Sequence, residues 1–92
     1  MGRPAYLILH GYESSGPGHW QTWLGGRLRA GEENVRYPDL PDPEAPQLRS
    51  WLDSLAGELD MLTEPPVVIC HSLACLLWLH HVDGGGKPAR RV

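Results

Sequence analysis

The sequence predicts an α/β fold, a parallel sheet with helices on both faces, built as one domain over residues 1–92. Three observations carry that expectation. Two short apolar runs, Ala5–His10 and Val67–Cys70, are nearly continuous rather than alternating, the pattern of strands buried on both faces. Between and after them the apolar residues recur at helical spacing. Glycines and prolines punctuate the passages from one pattern to the other.

Ala5–His10, closed by Gly11, reads as the first strand, and Gly16, Pro17 and Gly18 mark the loop after it. Trp20, Trp23, Leu24 and Leu28 then share a helical stripe, and Gly31 sits where that helix stops. Asn34–Tyr37 is a weak second strand, cut off by Pro38. The stretch Pro38–Pro46 holds four prolines and three acids and reads as a loop, whose far end offers Pro43 or Pro46 as a first helical residue. Leu48, Trp51, Leu52, Leu55, Leu59 and Leu62 form the clearest apolar stripe, with Arg49, Asp53, Glu58 and Asp60 off it. Pro65 and Pro66 end that helix. Val67–Cys70 is a third strand rich in β-branched residues, Leu73–Val82 an apolar helix broken by Gly84–Gly86, and Ala89–Val92 the approach to a further strand. The order β-α-β-α-β-α predicts right-handed crossovers in a three-layer α/β/α arrangement.

Composition narrows the function. Hydrophobic residues at 41% and charged residues at 21% describe a globular chain. The net charge of −3, with Lys87, Arg90 and Arg91 as the one basic cluster, argues against nucleic acid as the main partner. The longest apolar run, Leu73–Leu79, is far short of the roughly 20 residues a membrane span needs. No secretory leader is expected. Cys70 and Cys75 are too few for a disulfide framework and suit a reducing compartment, so the expectation is a soluble, cytoplasmic protein.

The chemistry concentrates at Val67-Val68-Ile69-Cys70-His71-Ser72-Leu73-Ala74, where a serine stands at an abrupt passage from buried strand to helix. A sharp turn there lifts the hydroxyl above the sheet edge, and the helix behind offers the Leu73 N–H to a developing oxyanion. The alternative is that Ser72 caps the helix, for which serine is equally suited. The usual pattern is Gly-x-Ser-x-Gly; here Cys70 and Ala74 are small but not glycine. If strands two and three flank strand one, the switch point lies between strands one and three. Gly11, directly after the first strand, then permits a tight turn that aims the Tyr12 N–H at the same point as that of Leu73.

Leu9-His10-Gly11-Tyr12, His19-Trp20-Gln21-Thr22-Trp23, Tyr37-Pro38-Asp39-Leu40-Pro41 and Cys70-His71-Ser72-Leu73-Ala74, in that order, resemble small single-domain serine hydrolases of the α/β-hydrolase fold. The branch they resemble is the one related to retinoblastoma-binding protein nine. The resemblance spans about Ala5 to Val92. It implies Ser72 as nucleophile, backbone N–H groups of Leu73 and Tyr12 as oxyanion donors, and small esters as substrates through an acyl-serine intermediate. In such enzymes the triad acid and base follow the serine, each after a later strand. Here twenty residues follow Ser72; they include Asp83, and no histidine comes after it. The resemblance therefore implies a partial, truncated hydrolase fold, the N-terminal half of a domain. Its third strand would offer an unpaired apolar edge to the missing half or to a protein partner. The alternative function is a non-catalytic interaction module on the same scaffold.

The remaining candidates carry plainer expectations. His10, Gly11, Trp20 and His71 are substrate-pocket candidates by their position at the strand ends, while hydrogen-bonding roles suit His10 and His71 equally. His80 and His81 are expected to face solvent, and Trp23, Trp51 and Trp78 to pack in the core. The two cysteines read as small hydrophobes in strand–helix packing. Cys70, His71, Cys75, His80 and His81 match no zinc spacing, and no cofactor or metal is expected.

Overall fold

In the computed structural model the described residues are 5–11, 19–31 and 33–92. They form β1 (Tyr6–Leu9), α1 (Trp20–Ala30), β2 (Val35–Arg36), α2 (Leu48–Asp60), β3 (Val67–Cys70) and α3 (Leu73–Asp83). The predicted α/β class holds, and β2 is shorter than the Asn34–Tyr37 read from the sequence. The strands lie in the order β2-β1-β3, all parallel. β1 and β3 pair from Tyr6↔Val67 to Leu9↔Cys70. The carboxyl ends of β1 and β3 therefore finish level, beside each other.

Period-two alternation decides which helix each strand residue meets. Leu7, Leu9 and Val68 join Trp51, Leu55, Leu59, Ala74, Leu77 and Trp78 in one buried cluster, the face covered by α2 and α3. Ile8 points the other way, toward α1, where a Cβ added to Gly25 would lie 3.5 Å from Ile8 Cδ1. The α2 stripe forms its contacts through Trp51, Leu55 and Leu59, all buried, while Leu48 at the helix start is half exposed. Arg36 Nε donates to Glu58 Oε1 at 2.7 Å and ties β2 to α2.

Four expectations need correction. Trp23 is 64% exposed, because α1 turns that edge away from the sheet and buries Gln21 and Gly25 instead. His81 is buried, since the turn after α3 folds back and places Gly86 against its ring, with a hydrogen bond between His81 Nε2 and Lys87 O at 2.8 Å. Cys75 is exposed and so is not a packed hydrophobe, whereas Cys70 is partly buried and packs against the core cluster. The outer edge of β3 is not wholly unpaired: Val68 N–H donates to Arg91 O and Arg90 N–H to Pro66 O, each at 2.7 Å, around an isolated parallel bridge between Val67 and Arg91.

Candidate active site

Ser72 is exposed at the carboxyl end of β3, with φ 57° and ψ −123°. Ala74 N–H donates to His71 O at 3.1 Å, so residues 71–74 close a β-turn. Those angles at its second position are those of a type II′ turn, where glycine normally sits. Holding a serine there costs on the order of 1–3 kcal/mol. An ordinary N-cap has extended backbone angles and a side-chain oxygen that accepts an N–H of the first turn. Ser72 has neither, because its side chain makes no capping bond. The residue instead stands exposed at the turn. Cys75 N–H donates to Ser72 O at 3.0 Å as α3 begins, and Leu73 N–H, which has no intrahelical acceptor by position, stands beside the hydroxyl.

Gly11 packs directly on this turn. A Cβ there would come within 2.9 Å of His71 O, 3.0 Å of Ser72 Cβ and 3.5 Å of Leu73 N. The segment leaving β1 thus touches the elbow, and a residue without a side chain is what allows it. Tyr12, the second expected oxyanion donor, lies outside the described residues.

His10 is buried with both ring nitrogens engaged. Its Nε2 accepts Leu40 N–H at 2.8 Å, so the proton is on Nδ1 and is donated to Gly11 O at 3.0 Å. The ring also stands edge-on to Trp51, whose Nε1–H donates to Pro41 O at 2.6 Å. The Tyr37–Pro41 segment is thereby pinned against the end of β1, which accounts physically for the spacing of those residues in the sequence.

His71 and Trp20 come together with a third ring, His19. The His71 ring meets His19 at 4.8 Å and Trp20 at 5.7 Å between centroids, both edge-on. His19 Nδ1 accepts Gln21 N–H at 3.1 Å and so caps α1. Sequence reading missed two residues here, His19 as cap and Gln21, which is fully buried and donates from Nε2 to Leu9 O and Ile69 O. The available signal was a long polar side chain in the buried face of a helix. His80 is exposed farther along α3. Among the described residues, which include all five histidines, none hydrogen-bonds the Ser72 hydroxyl.

Burial, reinforced by a hydrogen bond with Cys75, pushes the Cys70 thiol up to about 11, so beside Ser72 it stays protonated at neutral pH. A half-open groove of about 240 Å³ lies between the first turns of α2 and α3, lined by Pro46, Leu48, Trp51, Leu73, Leu76 and Leu77 among others. No group of three or more metal-ligating side chains occurs among the described residues, and no helix there is long and apolar enough to cross a membrane.

Comparison with known proteins follows the same lines. A family model described as "Serine hydrolase" matches residues 6–92. The chain is 37% identical over 79 residues to the "Putative hydrolase YdeN" of Bacillus subtilis (strain 168), covering 83% of this chain and 42% of that protein. The crystal structure of the ydeN gene product superposes with a TM-score of 0.77 at 33% identity, covering 88% of this chain and 44% of that one. The chain spans less than half the length of the relative it matches.

Proposed function

The chain belongs to the serine hydrolase family, and we propose that Ser72 is the nucleophile of an esterase-type reaction on small esters. The observation that carries this reading is the backbone of Ser72, a serine in a glycine conformation with its hydroxyl exposed and no capping bond. Such strain persists where the surrounding structure over-determines it, and it sets the hydroxyl above the sheet edge. In the reaction the Ser72 oxygen adds to the ester carbonyl carbon, the serine proton passes to a base, and the carbonyl oxygen becomes an oxyanion. Leu73 N–H, at the positive end of α3, is the donor aimed at that charge, and Tyr12 N–H is its proposed partner. Collapse breaks the ester C–O bond, the leaving oxygen takes the proton from the base and departs as the alcohol, and water then hydrolyses the acyl-serine to release the acid and the free serine. His71 and Trp20 line the approach, with His10 and Gly11 behind the oxyanion side.

Among the described residues no histidine ring hydrogen-bonds the Ser72 hydroxyl, and in the proposed reaction the base comes from elsewhere. We assign triad base and acid to polypeptide that pairs outside β3, on the edge where Arg91 bridges to Val67, and this rests on the length of the relatives. Within the family we read the chain in the branch related to retinoblastoma-binding protein nine, on the four motifs quoted above, and as a cytoplasmic protein on its cysteine usage. The second reading, a non-catalytic module, is favoured by the absence of a base hydrogen-bonded to Ser72 among the described residues.

Intact-mass analysis after a fluorophosphonate probe decides between them. One adduct on the chain, absent from Ser72→Ala, is the result expected of the hydrolase. A folded chain that takes no adduct, alone or with the polypeptide that completes the sheet, refutes it.

A further inference from the structure

We propose that Gln21 is a positioning residue for the site at Ser72: its amide fixes the gap between the ends of β1 and β3, and with it the seating of Gly11 against the elbow. The inference rests on reading Ser72 as the nucleophile.

The observations come from four directions. Gln21 is a polar residue with no exposed surface, on the face of α1 turned to the sheet, where a buried amide must find partners. Its partners are not on its own helix. Nε2 donates to Leu9 O at 2.9 Å and to Ile69 O at 3.4 Å, one carbonyl on each central strand. The two hydrogens of a carboxamide nitrogen match that demand, and no other single neutral side chain of this length offers them. The bond sits where the ladder stops, because Leu9↔Cys70 is the last pair between β1 and β3. Beyond it no backbone bond joins the strands among the described residues, yet Gly11 and Ser72 must meet with less than a methyl group of room.

The anchor is itself fixed. Gln21 N–H is held by His19 Nδ1 in the first turn of α1, and Gly25 one turn later rests on Ile8. Movement of α1 relative to the strand ends is thereby resisted at both places. Loss of the amide leaves two strand-end carbonyls without that donor and lets the strands part at the site. The Gly11 segment and Leu73 N–H then separate, and the oxyanion loses one of its two proposed donors. A displacement on the order of 1 Å is enough to cost about a hundredfold in rate.

The test compares wild type with Gln21→Met, which keeps the side-chain length and removes both donors, and with Gln21→Glu, which restores one donor only when protonated. Fluorophosphonate labelling of Ser72 is followed by intact mass across probe concentrations, under conditions where urea titration shows each protein folded. The expected result is a maximal labelling rate at least about tenfold lower in Gln21→Met, with the half-saturating probe concentration changed by no more than about twofold. For Gln21→Glu the rate relative to wild type should rise as pH falls through the carboxyl range. Labelling equal to wild type in the folded variants overturns the proposal. If wild type takes no label, alone or with the polypeptide that completes the sheet, the nucleophile reading fails separately, and amide exchange judges the strut. Faster exchange confined to Gly11, Leu73 and their neighbours supports it, and unchanged or uniformly faster exchange overturns it. Should Gln21→Met not fold, Gln21→Glu carries the same comparison.

Discussion

Replacing Ser72 by glycine should raise the stability of the chain while removing its nucleophile. The residue is held at φ 57°, ψ −123°, a region that a side chain disfavours and glycine enters freely. Relief of that strain is worth about 1–3 kcal/mol. Against it, the freer unfolded chain of glycine costs about 0.5–1 kcal/mol. The net gain is about 1 kcal/mol. Alanine keeps the strain, and since the serine side chain makes no capping bond, Ser72→Ala should lie within about 0.5 kcal/mol of wild type. At an ordinary exposed position the order of glycine and alanine is the reverse. Urea denaturation reads the difference directly: with a slope near 1 kcal/mol/M, the Ser72→Gly midpoint should exceed that of Ser72→Ala by about 1 M. In a thermal melt the same difference is about 4–8 °C. Both variants should refuse a fluorophosphonate. A glycine variant no more stable than the alanine one would mean that Ser72 is not held in the left-handed region, and the argument for a strained elbow would fall with it.

Other outcomes follow from the same geometry. Gly11→Ala places a methyl group 2.9 Å from the His71 carbonyl, and it should cost about 1–3 kcal/mol and slow Ser72 labelling by about a hundredfold, read by urea titration and intact mass. Gly26 and Gly57 lie inside α1 and α2 with nothing within 4 Å of an added Cβ, so each change to alanine should stabilise by about 0.5–1 kcal/mol and leave labelling unchanged. Iodoacetamide at pH 8 should modify exposed Cys75 before Cys70, whose reactivity should keep rising until pH about 11. Because the folded chain holds the Cys70 proton more tightly than its ordinary value of 9.0, that contribution to stability is full below pH 9 and lost as pH rises through about 11. Cys70→Ala should flatten the decline, as followed by urea titrations across that range.

Much of this was legible in the chain because it is local information. The unbroken apolar runs at Tyr6–Leu9 and Val67–Cys70 mark strands covered on both faces, and the Trp51, Leu55, Leu59 stripe marks one buried side of a helix. Proline and glycine set the boundaries, and the strand–serine–helix passage marked Ser72. The fate of individual polar and aromatic residues was not legible, since it depends on partners far away in sequence. Trp23 shares the helical spacing of a core residue and faces out, whereas Gln21, two positions before it, is wholly buried, because the carbonyls of Leu9 and Ile69 need a donor there. His81 was read as a surface residue until the turn through Gly86 folded over it. By itself, then, the sequence determined the elements, their order and the serine between β3 and α3. The tertiary structure alone decided the left-handed backbone of Ser72, the contact of Gly11 upon it and the amide bridge beneath both. Those depend on where two strand ends 61 residues apart in the chain, Leu9 and Cys70, come to rest, and periodicity carries no record of that separation.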